Sequence, residues 1–241
     1  MEFVAFTIKG RAGHFLRAEA GVSALSYPFP PRTVILGILG AILGLEKDQP
    51  QVELEPASIA IAGKLPKTFW HRIKLRKEDP EYLPGLITKN QKVAQHTKGY
   101  KATLILQEWL FEPTYTVWTA LPGAYHHELT ERLRQRRWHF SPYLGLSEMS
   151  AEIDFLASDE AASLPFSTHW INSVFPGDCG ELQVEGMYEA SLSLSTLRVP
   201  QAVTQDRVFT HAQYCMEREA RPVPVKTSKA LQWQDQVIVC L

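Results

Sequence analysis

Residues Lys9 to Gly44 read KGRAGHFLRAEAGVSALSYPFPPRTVILGILGAILG, and the reading of this stretch decides the fold. Upstream, Glu2 to Lys9 alternates with Val4, Phe6 and Ile8 on one face, which predicts a half-buried β-strand ending at Gly10. Gly10 and Gly13 let a ligand approach the main chain closely, and Lys9, Arg11, His14 and Arg17 surround them with donors. Phe15 interrupts the polar run with a ring that either stacks an unpaired base or belongs to the core; the residues leave both readings open. The turn from Ser26 to Arg32 carries three prolines that fix the backbone, and Thr33 suits the N-cap of a following helix. That helix, Val34 to Leu43, is apolar all round and is expected to be buried. Gly37, Gly40 and Gly44 would form a small-residue stripe against which a strand packs closely. A glycine-rich loop running into a helix suggests a phosphate site, but the Gly-Lys-Ser/Thr ending of a P-loop is missing, which excludes nucleotide hydrolysis of that type.

Beyond the helix, Ala57 to Ala62 predicts a second buried strand. From Lys64 to Thr103 ten Lys and Arg face three acids, a local excess of +7 that the total of -1 conceals. Phe69, Trp70, Tyr82 and Tyr100 interleave these cations among Pro66, Pro80, Pro84 and Gly85, as in a long, turn-rich insertion that grips a polyanion. Lys101–Phe111 and Thr114–Leu121 then read as paired strands joined at Glu112 and Pro113, followed by an amphipathic helix from Glu128 to Trp138 and a strand from Ala151 to Leu156. The order strand, helix, strands, helix, strand is that of the split βαβ ferredoxin-like (RRM-type) fold, an α+β class. It spans residues 1–156, with the insertion at 64–103 as a protruding basic thumb. Residues 157–241 lose helical periodicity and show short β-like runs at Leu182–Tyr188, Ala190–Leu197, Arg207–Tyr214 and Gln234–Leu241, which predicts a β-rich C-terminal lobe.

The longest apolar run falls short of a membrane span, and the amino terminus lacks the pattern of a signal peptide, so a cytoplasmic protein without a membrane partner is expected. Cys179, Cys215 and Cys240 are widely separated and lack CxxC spacing, which argues against a disulfide framework and against a bound metal. His126-His127-Glu128 is not HExxH, and no GxSxG or GxGxxG run occurs. No cofactor is expected.

The Gly-His-Phe-Leu-Arg loop, the Ser-Tyr-Pro-Phe-Pro-Pro-Arg-Thr turn, the Gly-spaced helix and the later Tyr143-Leu144-Gly145 together resemble the fifth Cas protein family. That family supplies the subunit of type I CRISPR Cascade complexes that binds the 5′ handle of the CRISPR RNA, and the likeness is to the type I-B-like branch. The resemblance implies a ferredoxin-like body with a thumb, a cap on the repeat-derived handle, and docking to the Cascade backbone and large subunits for antiviral targeting of DNA through the assembled complex. The motifs make Lys9, Gly10, His14, Phe15, Arg17, Tyr27 and Arg32 handle-binding candidates. Arg11 joins them as a neighbouring donor, and Lys89, Lys92, His96, Lys98 and Lys101 of the thumb join on charge alone.

One branch of the family cleaves the repeat RNA without a metal, drawing its acid and base from His, Tyr and Lys. Lys9, His14 and Tyr27 would be those groups here, but their surroundings resemble the non-cleaving branch, so no catalytic residue is assigned. A free-standing single-strand RNA-binding module is a third reading. The net charge of -8 outside the thumb suits docking onto other subunits better.

Overall fold

The computed structural model describes residues 1–21, 23–76 and 102–241. The apolar β1 (Glu2–Lys9) lies at the centre of the main sheet. After it come three two-residue strands, β2 (Ala12–Gly13), β3 (Phe15–Leu16) and β4 (Ser26–Tyr27), the last two paired with each other. The chain continues through α1 (Arg32–Leu43), the single turn α2 (Pro50–Glu53), β5 (Ser58–Ala62), β6 (Lys67–Arg76), β7 (Ala102–Phe111), β8 (Thr114–Ala120), α3 (Ala124–Arg134) and β9 (Glu152–Ser163). In the sheet the order is β9, β1, β8, β5, and every neighbouring pair is antiparallel.

Both long helices cover one face of this sheet. Val4, Phe6 and Ile8 of β1 share a core with Ile35, Leu36, Leu39 and Ile42 of α1 and with Leu129 and Leu133 of α3. Burying such a cluster is the main favourable contribution to folding. The helix α1 starts one residue before Thr33, with Pro31 at its N-cap, because the proline's fixed φ of -54° already suits the entry to a helix. Its glycines do not form the expected stripe. A Cβ on Gly37 would meet open space, Gly40 lies against Pro50 of α2, and Gly44 ends the helix at a φ of 86°.

The opposite face of β1 is buried as well. Phe3 and Ala5 lie under Trp233 and Ile238, so the strand predicted to be half-buried is covered on both sides. The cover comes from β16 (Leu231–Trp233) and β17 (Gln236–Ile238), of which β16 pairs with β9 and extends the sheet. Between them and β9 lie β10 (Ser167–Ile171), β11 (Phe175–Pro176), β12 (Glu181–Leu182), α4 (Val184–Glu189), β13 (Leu194–Val203), β14 (Phe209–Glu217) and β15 (Val223–Thr227).

The C-terminal part is strand-rich as expected, but the run Leu182–Tyr188 is mostly the helix α4. The division at residue 156 falls inside β9, and Val199, Tyr214 and Met216 belong to the same apolar cluster as α1. The strands at 102–111 and 114–120 exist but do not pair with each other. Glu112, at a φ of 45°, and Pro113 pass the chain from one sheet to another, so β7 pairs with β6 and β2 while β8 pairs with β1 and β5. Helix α3 lies four residues earlier in the chain than predicted at both ends. Among the described residues no helix is long and apolar enough to cross a membrane.

Candidate nucleic-acid interface

The glycine-rich loop folds onto the later turn. The His14 amide donates to the Leu144 carbonyl at 2.9 Å, and a Cβ on Gly10 would stand 2.6 Å from Leu144 Cδ1. The glycines therefore admit the protein's own turn. On the side where a Cβ would project, Gly10 is covered by Leu144 and Gly13 by Pro113.

Four side chains chosen as contacts point inward. Phe15 is 2% exposed and packs at 6.5 Å from Tyr115, which makes it a core residue. His14 Nδ1 lies 2.7 Å from the Glu108 carbonyl oxygen, which can only accept, so this nitrogen carries the proton. Burial lowers the His14 pKa and keeps the ring neutral, and Nε2 is buried with no hydrogen-bond partner among the described residues. Tyr27 is buried and donates from its hydroxyl to Glu19 Oε2 at 3.3 Å; burial, then the Glu19 carboxylate, raises its pKa. Arg32 is buried too, donating to the carbonyls of Glu55 and Ala57. All four side chains are thus held in the core by partners within the chain.

The outward-facing cations are Lys9, Arg11 and Arg17. Lys9 Nζ sits 3.0 Å from Asp154 Oδ2 and 3.3 Å from Glu152 Oε1, and the hydrogen bond to Asp154, then that to Glu152, raises its pKa. Arg11 is exposed, and Arg17 donates from Nε to the Ser26 carbonyl at 2.8 Å with its guanidinium 5.7 Å from the centre of the Tyr27 ring. The thumb candidates Lys89, Lys92, His96, Lys98 and Lys101 lie outside the described residues.

The start of the basic segment is regular, where a turn-rich connection was expected. Strands β6 and β7 form an antiparallel ribbon paired from Lys67↔Phe111 to Arg76↔Ala102. Side chains alternate across it. One face presents Lys67, Phe69 and His71 beside Trp109 and Phe111; the Phe69 and Trp109 rings are 5.8 Å apart, and His71 lies on Trp109 at 4.2 Å. The other face presents Trp70, Arg72 and Lys74 beside Leu104 and Leu106, all exposed. Phe69, Trp70 and Phe111 are 40%, 53% and 50% exposed, in an arrangement able to stack bases while the cations take phosphates.

These aromatics were passed over as site residues. The signal for them was the period of two in Lys67, Phe69, His71 and Ile73, obscured by the prolines that follow. The ribbon is fixed to the loop at Glu108, whose carbonyl accepts from His14 and whose Oε2 accepts from the Ser26 amide at 3.0 Å. Sequentially remote motifs thus meet at the ribbon base, where β2 pairs with Phe111 and the Glu112 amide donates to the Arg11 carbonyl.

The sequence profile of the CRISPR-associated protein family Cas5 matches residues 3–208. The chain belongs to the Cas5 family. No curated protein matches it by sequence. Among solved structures, a CRISPR protein from Archaeoglobus fulgidus is similar at a TM-score of 0.56 with 12% identity, covering 99% of this chain and 98% of that one. A chain of a CRISPR RNA-guided surveillance complex is similar at 0.53 with 14% identity, covering 91% of each. Identities this low establish a shared fold alone. In this Cas5 protein the loop and turn that carry the family resemblance build the joint between body and ribbon.

Proposed function

We propose that this Cas5 protein is the RNA-holding, non-catalytic subunit of a type I CRISPR Cascade complex, capping the 5′ handle of the CRISPR RNA in the cytoplasm. The observation that carries the reading is the β6–β7 ribbon, with aromatic rings and cations exposed side by side and continuing into a stretch dense in lysine. A strand of RNA lying along the ribbon reaches Arg11 at its base.

The sheet order supports a ferredoxin-like body: α1 connects β1 to β5, α3 connects β8 to β9, and the order β9, β1, β8, β5 is that of a split βαβ pair. The acidic remainder of the chain suits docking onto the backbone and large subunits. The burial of His14 and the ion pairs of Lys9 favour holding over cutting, since a general base must reach the 2′-hydroxyl.

Purification of the chain with its neighbouring subunits tests this reading. The expected result is a complex carrying small RNAs with a uniform repeat-derived 5′ end. Isolation without RNA or Cas subunits overturns it. Incubation with repeat RNA in chelator is expected to leave the RNA whole, whereas cleavage abolished by His14→Ala would establish the metal-independent endoribonuclease instead.

A further inference from the structure

A hollow of about 390 Å³ lies on the sheet face opposite the helices, and neither the loop nor the ribbon lines it. It arises from the register. Trp118 of β8 stands opposite Ala5 on β1 and Ala60 on β5, Thr116 stands opposite Ala62, and Ala5 stands opposite Ala157 on β9. One large indole is thus ringed by methyl groups, and the volume that larger neighbours would fill stays open. The register of β9 shifts between Ala5 and Phe6, leaving Leu156 as an extra, half-exposed residue at the rim.

The second wall is Trp233 of β16, edge-on to Trp118 with ring centres 6.3 Å apart and fixed by its Nε1 donating to the Asp159 carbonyl at 3.3 Å. Trp118 itself is 4% exposed, yet its Nε1 has no hydrogen-bond partner among the described residues. The remaining polar groups are the hydroxyl of Thr116 and the amides of Asn172, Gln234 and Gln236; among the described residues no charged side chain lines the hollow. Asn172 Oδ1 accepts from the Val237 amide at 2.8 Å, which leaves its NH₂ as a donor.

We propose that this hollow is a subsite for one unstacked nucleobase of a single-stranded nucleic acid. Two indoles offer walls for a flat ring, and the amides and hydroxyl both donate and accept as a base edge requires. A phosphate finds no cation here among the described residues. An apolar side chain of a protein partner would leave the Thr116 hydroxyl and the Asn172 NH₂ without partners. The proposal rests on the nucleic-acid reading of the chain but places the contact on a second face, away from the ribbon.

Photo-crosslinking of the full-length chain to short RNA and DNA strands carrying 4-thiouracil or 4-thiothymine, with the labelled peptides mapped by mass spectrometry, tests it. The expected labels fall on residues 116–118 or 233–236. Ala157→Leu, which fills the hollow, and Gln236→Ala, on the surface hairpin, should each reduce them about fivefold, equivalent to roughly 1 kcal/mol of binding. Labelling by RNA alone points to the guide, and labelling by DNA alone to the displaced or target strand. Labels confined to the ribbon and loop overturn the subsite while leaving the handle-holding role standing; no label anywhere overturns both.

Discussion

The amide of His14 donates to the carbonyl of Leu144 at 2.9 Å, joining the glycine-rich loop to a turn 130 residues further along the chain. Next to it Gly145 holds a φ of 97°, and a Cβ there would overlap the His14 carbonyl oxygen. The two most recognisable motifs of this Cas5 protein are the halves of one joint.

Gly145→Ala therefore meets both backbone strain and a clash with main chain that cannot rotate away. A loss of about 3 kcal/mol or more is expected, large for a single added methyl group. Urea unfolding of the variant checks it, and a loss below about 1 kcal/mol would show that the joint relaxes freely.

Arg32→Ala separates a structural role from an RNA contact. Its guanidinium bonds the Glu55 and Ala57 carbonyls inside the body, so the variant should lose about 2–4 kcal/mol of stability. RNA affinity per folded molecule should stay unchanged in a filter-binding assay at a temperature where the variant is folded. A drop in that affinity would return Arg32 to the interface.

Two buried groups contribute to the acid response. Glu217 is 2% exposed at its side chain; burial alone would raise its pKa, but the amides of Arg221, Ser193 and Glu219 and the Arg221 guanidinium outweigh burial and hold it below 4.5. Its stabilisation is full above that unfolded value and is lost as pH falls through the folded one. The His14 pKa is also lowered, by burial, so its contribution is complete above 6.5 and declines as pH falls below it. Chemical denaturation across pH should show two limbs, the upper flattened by His14→Asn and the lower by Glu217→Gln. An unchanged profile in either variant would assign that limb to another group.

The ribbon makes separable contributions to RNA binding. Phe69→Ala and Trp70→Ala should each weaken single-strand RNA binding by about 1–3 kcal/mol at fixed salt. Arg72→Ala and Lys74→Ala should instead reduce the salt slope of log K by about 0.7 each. Binding titrations over a range of salt concentrations measure both. Equal effects from all four at every salt would mean that the ribbon is unfolding in the variants.

Much of the fold was legible because local pattern determines it. Strong alternation placed β1, the all-apolar run placed α1, and β5 and β8 followed from β-branched and aromatic content, which together gave the element order. The family motifs were legible for the same reason, as short runs whose residues are neighbours in the chain. Local pattern could not say which strands pair: 102–111 and 114–120 look like a hairpin until Glu112 and Pro113 send them into different sheets. It also could not say which way Phe15 and Tyr27 face, because a loop has no period.

The sequence by itself determined the membership in the Cas5 family, the order of strands and helices, and the concentration of positive charge in one segment. Only the tertiary structure decided what the motifs do. Glu108 accepts hydrogen bonds from His14 and Ser26, groups 94 and 82 residues away, so that the glycine-rich loop becomes the root of the ribbon and its ring and imidazole become core. The physical reason is satisfaction at a distance: buried polar groups take the partners that folding brings beside them, and no local spacing records which those will be.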